Sequence, residues 1–316
     1  MISLNISTCK GFKEHRSGWS YCINSLKPFH SNSGIFLDGF LDQTFARRFD
    51  FTLPDIPFKE PWIGFLHNPP NAPEWFDNFA TPQSVIKREP FRQSLRLCKC
   101  IVVLSNYMKD WLRDRVHVPV ISVKHPTQTY SLKWSPEKFL SKQRPKIVQI
   151  GYWLRKIHSI LDLQNPYPYE KVWLPGNDYA NEILKRIQAS DELMPEESEY
   201  KWSAVKKLER LTNEEYDDLL TSSVIFLDLY DSSANNAIIE SIARNTPLLV
   251  NRLPAIVEYC GEDYPLYFDD LDHAAELLKD TDKIIEAHYY FKEMNKKWIS
   301  GSYFARDLIN KLEKVL

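Results

Sequence analysis

Short apolar runs, each followed by a polar or helix-patterned segment, recur along the chain and set the narrowest limit on its fold. The clearest are residues 62–66, 100–104, 118–123, 146–150, 224–229 and 247–250, and residues 1–7 read as a first buried strand. None alternates apolar with polar. Unbroken runs suit strands buried on both faces, as in a parallel sheet covered by helices. Between the runs lie helix signals: Ser105 stands as an N-cap before residues 106–112, and Asn235 or Asn236 before residues 237–243. Strand and helix in alternation predict doubly wound α/β domains. At 316 residues the chain fits two domains of about 150 residues each. Residues 135–144 are polar and carry no strand pattern, so the expected division is 1–140, 141–300 and a C-terminal helix over 301–316.

Composition then removes whole classes of function. Apolar residues make up 43% and charged residues 26%, the balance of a globular chain rather than a disordered one. No stretch approaches the roughly 18 to 20 apolar residues that cross a bilayer. The first residues lack a charged segment followed by a long apolar core, so the expectation is a cytoplasmic protein. Five cysteines with no C-x-x-C pair argue against a disulfide framework and a structural zinc site. Cys98 and Cys100 are expected on one buried face of a strand. No G-x-x-x-x-G-K-[ST], G-x-G-x-x-G, H-E-x-x-H or G-x-S-x-G occurs, and nine glycines leave little for a glycine-rich phosphate loop. No nucleic-acid-binding motif is present, and a pI near 6.5 gives no basic footprint, so nucleic acid is not an expected partner. Residues 1–140 carry 18 Lys and Arg against 12 Asp and Glu; residues 141–316 carry 22 against 30. Halves of opposite sign fit a basic first half that faces an anionic partner, or ordinary scatter between two surfaces.

Chemistry concentrates between Asp228 and Phe268. A buried strand ends in Asp228-Leu229-Tyr230-Asp231, a turn of small polar residues follows (Ser232-Ser233-Ala234-Asn235-Asn236), and a helix begins. The first N–H groups of a helix lack partners and its dipole adds positive charge there, so strand, small turn and helix start together form an anion site. Glu240 falls about one turn in, on the face toward such a ligand. The segment Asp191–Tyr200 is acidic and expected to be an exposed loop.

This stretch resembles the donor-binding segment of the glycogen-synthase-like retaining glycosyltransferases (family 4, group 1), which have the GT-B fold: two Rossmann-like, doubly wound parallel-sheet domains facing a central cleft. Glu240 matches the family's second glutamate, on the nucleotide ribose. Asn245-Thr246-Pro247 matches its G-x-P step with Asn for Gly, and Glu258 to Gly261 match a later glutamate–glycine pair. The family's first glutamate falls on Ser232, beside Asp231, which leaves the sugar-contacting carboxylate and the stereochemical outcome open. After the strand 146–150, Gly151 and the basic pair Arg155 and Lys156 match the residues that hold the donor's diphosphate; a leaving diphosphate gains negative charge and needs fixed cations. The resemblance thus implies a donor site of Gly18, Gly151, Arg155, Lys156, Asp231, Ser232, Ser233, Asn235, Asn236 and Glu240, with His67 and Glu240 as the catalytic pair.

Within the first half, Gly18 resembles the glycine of the family's first βα turn, and His67 the histidine near the reacting sugar. His125 stands where the family passes between domains and reads as a hinge or cleft residue. Arg88, Arg92 and Arg96, four apart, form a basic stripe if helical, able to meet an anionic membrane or glycan or simply a solvated face. The implied activity is metal-independent transfer from a UDP- or GDP-linked sugar, a substrate rather than a cofactor, to a glycan, lipid-linked or other acceptor. A catalytically silent glycan-binding or scaffold protein on this fold, and a sugar-nucleotide epimerase or hydrolase, remain as alternatives.

Overall fold

A computed structural model describes residues 2–9, 18–46, 55–77, 79–164, 169–177, 179–189 and 203–316. Arg16, Ser17 and the segment Asp191–Tyr200 lie outside the described residues. Two parallel sheets divide the chain. The first runs in sequence order through β1 (Leu4–Asn5), β2 (Ile35–Asp38), β3 (Trp62–Leu66), β4 (Cys98–Val103) and β5 (Val120–Ser122). The second is ordered β11-β10-β9-β6-β7-β8, built from β6 (Lys146–Ile150), β7 (Glu170–Leu174), β8 (Lys206–Lys207), β9 (Ser223–Leu227), β10 (Leu248–Asn251) and β11 (Tyr267–Phe268). The strand order of the second sheet reverses between β6 and β9, and the backbone ends of an open α/β sheet leave a crevice at such a point.

Burial explains the unbroken apolar runs: every residue of β3 and of β9 is buried. One face of the first sheet packs its Phe36, Trp62, Ile101 and Val103 against Leu41, Phe45, Phe91 and Met108 of the connecting helices. Among the described residues, the other face is covered from its own domain by the helix Gly18–Ser25. The C-terminal helix Gly301–Leu312 crosses back to complete that cover, seating Phe304, Leu308 and Leu312 against Leu4, Ile63, Phe65 and Val102. Gly301 allows the approach, since a Cβ there would sit 2.0 Å from Ser25 Oγ.

Cys98 and Cys100 are buried on β4, and the five cysteines are free thiols. Between β5 and β6 the polar stretch contains the short helix Pro136–Leu140, N-capped by Ser135. Trp134 and Phe139 already belong to the second core, where Trp134 donates its indole N–H to Ser223 O at 3.1 Å. The two passages between domains run side by side, joined by Thr127 N–H to Ile299 O at 3.0 Å. Among the described residues no helix is long and apolar enough to cross a membrane.

The arginine stripe is corrected by the backbone. Arg88 is extended (φ −72°, ψ 133°) and separates the helices Pro82–Lys87 and Glu89–Leu95, with Pro90 in the first turn of the latter. Proline fits the first turn of a new helix, and Arg88 is the extended cap between the two helices, so no single helical face carries Arg88, Arg92 and Arg96. Arg88 donates instead to Phe79 O and Arg92 to Ile86 O.

Candidate functional site: a cation beside a helix start in the interdomain cleft

The crevice between β6 and β9 is built by two loops. β6 ends at Ile150 and Gly151 follows with φ +81°, a backbone conformation that L side chains avoid. Leu154 takes φ +55° and is buried, so the turn doubles back and Arg155 pairs with Leu229 across it. A Cβ on Gly151 would meet the Arg155 guanidinium carbon at 3.3 Å. Arg155 gives Nε–H to Ile150 O (3.1 Å), Nη1–H to Trp153 O (2.5 Å) and Nη2–H to Asn235 Oδ1 (3.1 Å). A guanidinium has five N–H donors, so two remain to meet an anion. Burial lowers its pKa to about 10, which leaves it charged at neutral pH. Next to it, Lys156 pairs its ammonium with Asp228 Oδ1 at 3.1 Å while Ser159 donates to Asp228 Oδ2 at 2.7 Å.

The second loop presents a helix start to Arg155. Asn235 caps the helix Asn236–Arg244, its Oδ1 accepting from Ala237 N–H at 3.0 Å as well as from Arg155. One side-chain oxygen therefore ties the cation to the helix N-terminus, and both favour negative charge in the same place. Ser232 and Ser233 are buried in this turn, and Ser233 Oγ lies 3.4 Å from Ser105 Oγ of the first domain. Asn236 is the first helical residue. Glu240, buried on the same helix, accepts a hydrogen bond from the Tyr216 hydroxyl at 2.6 Å. One turn on, Arg244 and Asp217 form a fully buried ion pair at 2.7 Å that clamps the helix Asn213–Ser222 to this one. The helix ends on Asn245 at φ +59°, ψ +30°, the left-handed position where asparagine substitutes for glycine; this is why Asn stands in the G-x-P step.

Across the cleft, Gly18 (φ +44°) starts a helix and sets Trp19 edge-on to His67, ring centroids 4.4 Å apart. His67 stacks on Phe40 at 3.9 Å and is surrounded by rings, which lowers its pKa to about 3 through desolvation. Its Nε2 lies 3.0 Å from Gly39 O, an acceptor, so Nε2 carries the proton and Nδ1 is left as a neutral acceptor. A group so hard to protonate serves a sugar hydroxyl as hydrogen-bond acceptor better than it serves as an acid at neutral pH. Asp42 fixes the strand end, taking His67 N–H at 2.7 Å and Asn68 N–H at 2.9 Å; its own burial lifts its pKa to about 7.

Several contacts close the domains on each other. Asp231 accepts from Asn71 N–H and from Tyr107 O–H, both at 2.9 Å. Glu258 accepts from Asn106 N–H (2.7 Å) and Tyr107 N–H (2.6 Å), filling the N-terminus of the helix Asn106–Arg113 from the opposite domain. His125 is buried at the junction, its N–H on Tyr259 Oη, which in turn donates to Leu104 O. The short helix Glu74–Asp77 sets Phe76 edge-on to Trp153, 4.9 Å between centroids, next to the turn that carries Arg155.

Arg155 thus meets both Gly151 and Asn235, and Lys156 and Glu240 flank them from the neighbouring turn and the same helix. Asp231 and Ser233 face the first domain, and Gly18 and His67 stand together around Trp19. An open groove of about 770 Å³ between the helices Asn106–Arg113 and Pro254–Cys260 contains none of Arg155, Lys156 or Glu240. Tyr216 and Tyr107 escaped sequence reasoning because a tyrosine inside a helix carries no motif. Asp228 was signalled only as the end of an apolar run.

No protein-family profile matches the sequence, and no curated protein does. Solved structures do match. Sucrose-phosphate synthase from Thermosynechococcus elongatus superposes with a TM-score of 0.64 at 12% identity, over 89% of this chain and 73% of that one. Anabaena HepE, solved with UDP and glucose, gives 0.59 at 13% over 80% and 72%. The UDP-forming trehalose-phosphate synthase of Burkholderia xenovorans gives 0.53 at 15% over 97% and 80%. The fold is GT-B.

Proposed function

We propose that this protein is a glycosyltransferase that moves a sugar from a nucleoside-diphosphate sugar to a hydroxyl-bearing acceptor, a glycan or lipid-linked molecule, without a metal ion. The reading is carried by Arg155, a half-buried cation tied through Asn235 to a helix N-terminus at the crevice of the second sheet. When the bond from the sugar's anomeric carbon to the diphosphate breaks, the electron pair moves onto a phosphate oxygen. Arg155, Lys156 and the N-terminus of the helix Asn236–Arg244 stabilise that charge without a metal. The acceptor oxygen bonds to the anomeric carbon as that bond breaks, and its proton passes to the departing phosphate oxygen. Glu240 holds the ribose hydroxyls, and His67 Nδ1 accepts from a hydroxyl of the transferred sugar across the cleft. Resemblance to retaining enzymes and to structures solved with UDP supports retention and a UDP-linked donor.

The test is acceptor-dependent release of nucleoside diphosphate from UDP- and GDP-sugars, followed in the intact protein and in Arg155→Ala. Loss of the cation should raise the barrier by about 2–4 kcal/mol. Equal turnover in the variant contradicts the site, and release that ignores added acceptors contradicts transfer.

A further inference from the structure

Glu240 and Tyr216 form a contact that a purely structural pairing does not need. The helix Asn213–Ser222 is already locked to the helix Asn236–Arg244 by the buried Arg244–Asp217 pair one residue along, and its own start is fixed by the capping box of Thr212 and Glu215. Tyr216 therefore reaches Glu240 from a rigid base, with its backbone N–H held on Thr212 O at 3.0 Å. Its hydroxyl donates to Glu240 Oε2 at 2.6 Å, a short charge-assisted bond. The terminal torsion of a glutamate is broad and does not fix the carboxylate plane by itself. One such bond does fix it, and a carboxylate of fixed plane can receive two adjacent hydroxyls where a rotating one receives them only part of the time. Glu240 lies on the helix whose cap, Asn235, is held by Arg155 at 3.1 Å, so the pair belongs to the neighbourhood of the anion site.

We propose that Tyr216 is a positioning residue for Glu240 and that the pair makes the protein select a ribonucleotide over its deoxy counterparts. The proposal rests on the donor site described under the proposed function. It adds that selectivity at the sugar of the nucleotide is set by a side chain that does not itself touch the ligand.

The experiment measures dissociation constants of UDP, 2′-deoxy-UDP and 3′-deoxy-UDP by calorimetry for the intact protein, Tyr216→Phe and Glu240→Gln, with melting temperatures for all three. The intact protein should prefer UDP by about tenfold over each deoxy form, the worth of one hydrogen bond to a charged group. Tyr216→Phe should reduce that preference to about threefold or less, toward the value in Glu240→Gln, by weakening UDP while leaving the deoxy forms nearly unchanged. If Tyr216→Phe melts earlier yet weakens all three ligands by one common factor, or changes none, Tyr216 is only structural and the proposal is wrong. If the intact protein binds none of UDP, GDP and ADP, the donor site itself fails and this inference fails with it.

Discussion

Gly151→Ala separates the two jobs the turn after β6 performs, shaping the backbone and seating Arg155. At φ +81° a Cβ is strained, and an alanine in left-handed backbone costs about 1–2 kcal/mol. Its Cβ would also stand 3.3 Å from the Arg155 guanidinium carbon and 3.4 Å from Nε and Nη2. The guanidinium has no free direction of retreat, because Ile150 O, Trp153 O and Asn235 Oδ1 hold it on three sides. Moving by a few tenths of an ångström weakens the bond to Asn235 first, since that partner lies on the other loop. Losing one hydrogen bond to a charged group costs about 1.5–3 kcal/mol, tenfold or more in affinity for an anion placed there. A melt and a UDP titration on the same preparation read both effects. The variant should melt a few degrees lower, at about 2–4 °C per kcal/mol for a domain of this size, and bind UDP at least tenfold more weakly. A lowered melting temperature with UDP affinity held within twofold would refute the coupling of Gly151 to Arg155.

Three further outcomes follow from particular contacts. Leu308→Ala should destabilise the first domain by about 2–5 kcal/mol in chemical unfolding, because the C-terminal helix completes the cover that the helix Gly18–Ser25 begins; an effect under 1 kcal/mol would mean that the helix is dispensable there. His67 refuses a proton in the folded state down to about pH 3, whereas the unfolded chain takes one near pH 6.5. As pH falls from 6.5 toward 3 the folded state therefore loses up to about 1.4 kcal/mol per unit at this residue, so the stability advantage of the intact protein over His67→Gln should shrink with acidification, and a constant difference would contradict a neutral, half-buried ring. Glu258→Ala removes the cross-domain cap on Asn106 and Tyr107 and should increase the radius of gyration in solution scattering, with no change expected if the cap is incidental.

Much of the fold was legible because a parallel sheet buried on both faces writes itself as unbroken apolar runs. Six such runs became β3, β4, β5, β6, β9 and β10. β2, β7, β8 and β11 were missed: β2 has only Ile35, Phe36 and Leu37 apolar and β7 only Val172, Trp173 and Leu174, while β8 and β11 are two residues long. The return of the C-terminal helix to the first domain was also illegible, since helical spacing shows which face is apolar and not which core receives it. At the site, Arg155 and Asn235 were visible from their positions after strand ends. Their mutual contact was not, because it depends on β6 and β9 being neighbours in the second sheet although β7 and β8 intervene in sequence. Asp231 was expected to face a donor, and the structure occupies its carboxylate with Asn71 and Tyr107, partners 160 and 124 residues away. The arginine stripe failed for a local reason, Pro90 and the extended Arg88 before it.

The claim that Arg155 and Lys156 receive a donor diphosphate is tested most directly by calorimetric titration of UDP into the intact chain and into the Arg155→Ala/Lys156→Ala variant, each checked for a cooperative melt. The account predicts saturable binding in the first and a loss of at least about thirtyfold in the second, the equivalent of 2 kcal/mol or more. Equal affinity in two folded proteins would contradict it.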